Sequence, residues 1–99
     1  MIKELKTENF QEEIKEGKVL VDFYATWCGP CKMMHPVIEE FSSEHSDVKV
    51  IKIDVDQHED LAREYGIMSI PTIILFDNGE LKEKNVGFTP KEVIERWFS

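Results

Sequence analysis

The chain has 99 residues, of which 41% are hydrophobic and 32% charged, as expected for a single globular domain spanning residues 1–99. Its net charge of −8 repels phosphate backbones and anionic lipid headgroups, which argues against binding to nucleic acids or membrane surfaces. No apolar run approaches the ~20 residues of a membrane span, and no apolar leader follows Met1. We therefore expect a cytoplasmic protein, although a secreted chain whose signal had been removed would look the same.

The first part of the chain predicts two strands around a helix. Residues 2–6 are typical of a short strand, and residues 7–16 of a helix that ends at Gly17. Residues 18–25 follow as a strand. Its nearly continuous apolar run favours a central strand of a parallel sheet, covered on both faces.

The middle of the chain predicts helix, strand and helix. The first helix begins at Gly29 or Pro30 and continues to about Glu44, with Pro36 expected to kink it. Residues 48–55 follow as a strand, and residues 59–65 as a helix.

A hairpin and a last helix complete the chain. Residues 71–76 and 81–86 are predicted strands, and the intervening Asn78-Gly79 pair suits a type I′ turn. Thr89 is the expected N-cap of the last helix, with Pro90 in its first turn and Glu92 completing a capping box.

The resulting order, β-α-β-α-β-α-β-β-α, indicates an α/β fold with a mixed sheet and helices on both faces. We expect strands separated by helices to be parallel and the final hairpin to be antiparallel.

Cys28 and Cys31 are the two cysteines of the chain, and they lie where a central strand gives way to a helix. Amides at a helix N-terminus stabilise a thiolate. Lowering a thiol pKa from about 8.5 to about 7 raises the thiolate fraction at neutral pH from a few per cent to about half. A second thiol three residues away can then attack a mixed disulfide intramolecularly. The pattern therefore favours redox chemistry, with Cys28 exposed and Cys31 one turn inside.

Two other interpretations of the cysteine pair have less support. Structural zinc usually needs four ligands, and His35, His45 and His58 do not complete a familiar zinc pattern. An iron–sulfur cluster would have to be shared between two chains. A purely structural disulfide would close so short a loop that it would remove little chain entropy.

Residues 21–32, Val-Asp-Phe-Tyr-Ala-Thr-Trp-Cys-Gly-Pro-Cys-Lys, resemble the active-site segment of the thioredoxin family. The similarity continues in the family's order and spacing at further positions: Pro36, Lys52, residues 65–72, residues 76–80 and Gly87. The resemblance covers essentially the whole chain and implies the thioredoxin fold, with about five strands.

The resemblance also implies a function, namely reduction of protein disulfides in which Cys28 attacks and Cys31 resolves. The expected partners are disulfide-containing proteins and a thioredoxin reductase. The family implies a monomer without bound cofactor or metal. Gly29-Pro30 between the cysteines favours a reductant, since oxidants and isomerases of the family usually carry a histidine there. A dedicated oxidant or isomerase, or a thioredoxin-fold binding or chaperone module, is the alternative.

Asp22 and Lys52 are the candidate supporting residues. Asp22 is a carboxylate in an apolar strand, so it is either a proton acceptor for Cys31, as the resemblance implies, or a core carboxylate paired with Lys52. Lys52 in turn is either functional or a solvated strand residue.

The resemblance further implies a shallow apolar rim that binds extended substrate segments. Its members are Trp27, Gly29, Pro30, Ile70, Pro71, Gly87 and Phe88. The bond before Pro71 is expected to be cis, and Phe88 taken alone could be an incidental exposed aromatic. Tyr24 replaces a common tryptophan, and His35 and Phe88 replace residues that are usually small.

Overall fold

The computed structural model describes residues 2–99. Its helices and strands follow the predicted order. They are β1 (Ile2–Glu4), α1 (Phe10–Ile14), β2 (Lys18–Tyr24), α2 (Gly29–Glu44), β3 (Lys49–Asp54), α3 (Glu59–Glu64), β4 (Thr72–Asp77), β5 (Glu80–Val86) and α4 (Lys91–Arg96). Among these described residues, no helix is both long and apolar enough to cross a membrane.

The strands form one sheet in the order β1-β3-β2-β4-β5. β3 runs parallel to β1 and β2, whereas β4 is antiparallel to both β2 and β5. The expectation of parallel strands was therefore wrong for β4. Asp54 at the end of β3 is paired with Tyr24, and Thr72 at the start of β4 is paired with Phe23, so both lie at the same end of the sheet. The short α3 does not return the chain to the opposite end, as a parallel crossover requires.

β2 is the centre of the fold, as its apolar run predicted. Val19, Val21 and Phe23 belong to a core cluster with α1, and Leu20 belongs to a second cluster with α2 and α4. Side chains alternate between the faces of a strand, so Asp22 lies on the same face as Leu20, under α2. The sheet thus places a carboxyl group beneath the helix that carries the cysteines.

Turns at the end of the sheet remote from the cysteines follow the sequence closely. Asn78 and Gly79 both have positive φ, at 51° and 88°, as a type I′ turn requires. The Asn78 side chain accepts a hydrogen bond of 2.8 Å from the amide of Gly17, which ends the α1 segment with φ of 73°. α1 begins later than predicted because Asn9 caps it, accepting from the amide of Glu12, and the helix ends at Ile14.

The predicted capping box of α4 was wrong. Pro90 occupies the N-cap position, and no side chain of residues 2–99 caps this helix. Thr89 is instead fully buried, where its hydroxyl donates to the carbonyl of Gly87 and accepts from the Asn85 amide. These two bonds link the end of β5 to the turn that precedes α4.

β1 and β5 are the edges of the sheet. β5 is exposed along nearly its whole length and carries acidic and basic side chains in alternation from residue 82 to residue 84. Pro36 lies inside α2 as predicted, and the kink expected there stays a prediction.

Candidate active site

Cys28 and Cys31 form a disulfide at the start of α2. Cys28 is the N-cap residue, and its sulfur accepts a hydrogen bond of 3.2 Å from the amide of Cys31. Pro30 follows within the first turn, where its missing N–H costs nothing. The Cys31 amide and the N-terminus of α2 stabilise negative charge on the sulfur of Cys28 once the disulfide opens.

The two cysteines are equally inaccessible. Cys28 is 5% exposed and Cys31 is 6% exposed, so the expectation that Cys28 is exposed was wrong. Ala25, Val55 and Ile70 pack around the pair. The sulfur of Cys28 also lies 3.7 Å from the carbonyl oxygen of Ile70. Position along α2, rather than exposure, therefore distinguishes the two sulfurs in this oxidised state.

Asp22 is a buried carboxyl group beneath α2, with 1% of its surface exposed. Within residues 2–99 its Oδ1 atom has no hydrogen-bond partner. Burial raises the pKa of Asp22 to about 7; the positive charge of Lys52 opposes that rise and the negative charge of Glu4 adds to it. At neutral pH this group is therefore divided between its protonated and ionised forms, which suits it to accept or donate a proton.

Lys52 does not form an ion pair with Asp22. The interpretation of Asp22 as a structural carboxylate paired with Lys52 therefore lacks support. The two residues lie side by side in the register of β2 and β3. The Lys52 ammonium nevertheless contacts Nδ1 of His35, at 3.0 Å, and lies 4.4 Å from the centre of the Tyr24 ring. Lys52 is thus neither freely solvated nor bound to the carboxylate.

A cavity of about 220 Å³ opens beside these groups. Cys31, Lys52, His35 and Tyr24 are among the residues that line it. The hydroxyl of Tyr24 donates a hydrogen bond of 2.8 Å to Glu4, and burial together with that carboxylate raises the pKa of the phenol. The cavity connects the inner cysteine with the polar side chains of the sheet.

The proposed rim is partly assembled around the disulfide. Trp27 is 68% exposed and Phe88 is 42% exposed. The Ile70–Pro71 bond is cis, as expected. The amide of Gly87 donates to the carbonyl of Pro71 at 2.7 Å, which holds the segment containing Phe88 against the proline segment.

Sequence reasoning missed several features of the site. Asp56 accepts a hydrogen bond of 2.8 Å from the indole of Trp27 and fixes the orientation of that ring. His35, four residues after Cys31 on the same helix face, was considered only as a zinc ligand and as a departure from the family, and its contact with Lys52 was not foreseen.

The cysteines do not contribute to a metal-ligand group in residues 2–99. One such group occurs in this part of the chain, formed by Glu44, His45 and Glu95. The Glu44 carboxylate of this group already accepts a hydrogen bond of 2.8 Å from the ammonium of Lys91.

Sequence comparison relates the whole chain to one family. The sequence model of the thioredoxin family matches residues 1–99. A thioredoxin from Bacillus subtilis (strain 168) is 51% identical over 89 residues, which are 89% of this chain and 86% of that protein. A thioredoxin from Alicyclobacillus acidocaldarius is 50% identical over 93 residues, covering 92% of this chain and 89% of that protein.

Structural comparison gives the same result. The oxidised form of mitochondrial thioredoxin 3 from Saccharomyces cerevisiae superimposes with a TM-score of 0.88 at 39% identity, covering 98% of this chain and 93% of the yeast chain. The mixed sheet and the disulfide at the start of α2 define a thiol–disulfide oxidoreductase. Because the thioredoxin family model matches residues 1–99 and relatives are about half identical in sequence, the chain belongs to the thioredoxin family.

Proposed function

We propose that this oxidoreductase works as a reductant of protein disulfides, with Cys28 as the attacking thiol and Cys31 as the resolving thiol. The observation that carries the assignment is the position of the Cys28 sulfur at the N-cap of α2, where it accepts the amide hydrogen of Cys31. A thiolate is the nucleophile in disulfide exchange, and this position favours the thiolate of Cys28.

The reaction balances in two exchange steps. The Cys28 thiolate attacks one sulfur of the substrate disulfide, forming a mixed disulfide and releasing one substrate thiolate. Cys31 then loses its proton and attacks the Cys28 sulfur, which releases the second substrate thiolate. The protein ends with the Cys28–Cys31 disulfide, and the substrate has gained two electrons and, after protonation, two thiols.

Asp22 is the proposed proton acceptor for Cys31 in the second step. Its carboxyl group is buried under α2, and its pKa of about 7 allows it to take a proton at neutral pH. The cavity beside this group is lined by both Cys31 and Lys52, the neighbour of Asp22 in the register of β2 and β3. Lys52 tunes the charge of this route rather than touching the sulfur.

The direction of the reaction follows from the residues between the cysteines. A histidine next to the attacking thiolate would stabilise the reduced form and make the protein oxidising, whereas this chain carries Gly29-Pro30. A thioredoxin reductase would then regenerate the dithiol. The proposal includes a monomer that needs no bound cofactor, in the cytoplasm, where a supply of reductant keeps the cycle running.

Substrates are proposed to bind along the exposed Trp27 and Phe88, beside Ile70 and the buried Pro71. The backbone of Ile70 would pair with an extended substrate segment, since its carbonyl already lies 3.7 Å from the Cys28 sulfur. This placement would bring the substrate disulfide to the attacking sulfur. Gly29, Pro30 and Gly87 would complete the rim.

Single-cysteine variants test the division of labour cleanly, because each leaves one thiol in the chain. Cys31→Ser should trap a stable mixed disulfide with a protein substrate, visible by mass spectrometry and cleaved by dithiothreitol. The matched Cys28→Ser variant should trap none. Trapping by Cys31 alone would reverse the assignment.

Two further measurements separate the alternatives. The wild-type protein should support turnover of a protein disulfide with NADPH and a thioredoxin reductase, with a reduction potential near the about −270 mV of reducing members rather than the about −120 mV of strong oxidants. The double Cys28→Ser/Cys31→Ser variant should lose all activity. A binding or chaperone activity that the double variant retained in full would favour a thioredoxin-fold binding or chaperone module instead.

A further inference from the structure

His35 holds the ammonium of Lys52 at one side of the active-site cavity. The two nitrogen atoms, Nζ of Lys52 and Nδ1 of His35, are 3.0 Å apart. On its other side, Nε2 of His35 is 3.1 Å from a carboxylate oxygen of Glu39, one helical turn further along α2. The imidazole therefore bridges an ammonium and a carboxylate.

These two neighbours determine the protonation of the ring. An ammonium group can only donate hydrogen bonds, and a carboxylate can only accept them. Nδ1 of His35 must then be the unprotonated nitrogen that accepts from Lys52, and Nε2 must carry the hydrogen that Glu39 accepts. The observed contacts thus require a neutral ring. A second proton on Nδ1 would remove the acceptor and place two positive charges next to each other.

The contact with His35 leaves the Asp22 carboxyl group without its nearest cation. Asp22 and Lys52 are direct neighbours in the register of β2 and β3. Even so, no ion pair joins them among the described residues, and the buried Oδ1 of Asp22 has no hydrogen-bond partner. Lys52 instead lies between His35 and the face of the Tyr24 ring.

We propose that His35 is a positioning residue that holds the Lys52 ammonium away from Asp22 and so keeps the Asp22 carboxylate basic enough to accept the proton of Cys31. The proposal rests on the proposed role of Asp22 in proton transfer. It assigns a task to a side chain that occupies a position usually filled by a small residue in this family.

Other charged groups lie near these side chains on β1, β3 and α2. From β1, Glu4 accepts the hydroxyl hydrogen of Tyr24, and from β3, Asp54 accepts the amide hydrogen of Asp56. From α2, Lys32 and Cys31 also line the cavity. Glu4 adds to the rise in the pKa of Asp22, while Lys52 is the cation that opposes it. The position of the Lys52 ammonium is therefore the adjustable part of this electrostatic environment.

The test is a carboxyl-carbon NMR titration of Asp22 in the oxidised protein, without substrate or reductase. Replacing the ring by His35→Ala should free the ammonium to approach the carboxylate and lower the pKa of Asp22 by about half a pH unit to one pH unit. His35→Asn should restore most of the wild-type value, because its side-chain oxygen takes the place of Nδ1 as an acceptor. Lys52→Met should raise the pKa of Asp22.

A double variant makes the result specific to the His35–Lys52 contact. If His35 acts through Lys52, adding His35→Ala to Lys52→Met should move the Asp22 titration by less than about 0.2 pH units, as expected for a cycle in which the mediating partner has already been removed. An unchanged or raised Asp22 pKa in the single His35→Ala variant would overturn the proposal, as would the same shift with and without Lys52. His35 is half exposed, so these variants should fold.

The titration tests the positioning role of His35, and the enzyme assay tests the proton-transfer role of Asp22, so either role can be refuted without the other. A lowered Asp22 pKa in His35→Ala supports the positioning role whatever the turnover rate. In kinetics, the acid limb of the pH profile for release of the mixed disulfide should shift to lower pH in the same variant, by the same amount as the titration. A matching titration with an unshifted kinetic limb would uphold the role of His35 and count against Asp22 as the proton acceptor.

Discussion

The buried carboxyl group of Asp22 should make the protein less stable as pH rises. Its pKa is raised from 3.8 in the unfolded chain to about 7 in the fold. Below pH 3.8 the carboxyl is protonated in both states and folding is not penalised. Between pH 3.8 and about 7 the unfolded chain loses its proton first, so stability falls as pH rises through this window. Above it the penalty is constant, at about 4 kcal/mol.

Replacing the group by an amide should remove that dependence. The penalty at pH 5 is about 2 kcal/mol and at pH 8 about 4 kcal/mol, so Asp22→Asn should gain about 2–3 kcal/mol relative to wild type between these two pH values. Any cost of burying the amide is the same at both pH values and cancels from this difference. The same variant should slow the release of a mixed disulfide, because Cys31 has lost its proton acceptor.

Urea unfolding of the oxidised proteins at pH 5 and pH 8, followed by tryptophan fluorescence, measures the effect. Asp47→Asn is a matched control, because Asp47 is exposed and the substitution makes the same chemical change at the surface. The control should show no comparable pH-dependent gain. An Asp22→Asn variant whose stability relative to wild type is equal at both pH values would refute the raised pKa. An unchanged rate of mixed-disulfide release would refute its catalytic role.

Two more predictions concern separate parts of the molecule. Trp27→Phe removes the hydrogen bond to Asp56 but leaves an aromatic ring, so the free energy of unfolding should change by less than about 1 kcal/mol. In steady-state assays, KM for a protein substrate should rise several-fold. An unaltered KM would contradict a role of the indole in docking. Gly79→Ala places a side chain where φ is +88°, which should lower the free energy of unfolding by about 1 kcal/mol in denaturant melts. Turnover should be unchanged, because the turn lies at the opposite end of the sheet from the cysteines. A stable Gly79→Ala variant, or one with impaired turnover, would show that this reasoning is wrong.

The sequence predicted most of the fold because its signals are local. The apolar run of β2, the cysteine pair at the start of α2 and the Asn78-Gly79 turn each depend on neighbouring residues, and each was confirmed. The direction of β4 was missed because it depends on which end of the sheet the α3 segment reaches. Thr89 was misassigned because a cap motif and a buried hydroxyl have the same local sequence, and only tertiary packing distinguishes them.

The candidate site divides in the same way. The sequence could place Cys28 at a helix terminus and Asp22 inside an apolar strand, and the burial of Asp22 followed. It could not choose the partner of Lys52. That choice depends on how closely α2 packs over β3, and it brings together side chains 17 positions apart in the chain. The burial of Cys28 was missed for a similar reason, since the segment containing Ile70 approaches it from a distant part of the sequence.

The exposed β5 strand has a consequence for how this molecule behaves in a crowded solution. An open sheet edge can recruit the extended segments of other chains, and a protein that handles disulfide-bonded substrates meets such segments repeatedly. Charged side chains along Lys82, Glu83 and Lys84 would have to be desolvated before a foreign strand could pair there. The β5 edge of the sheet therefore resists strand addition and aggregation.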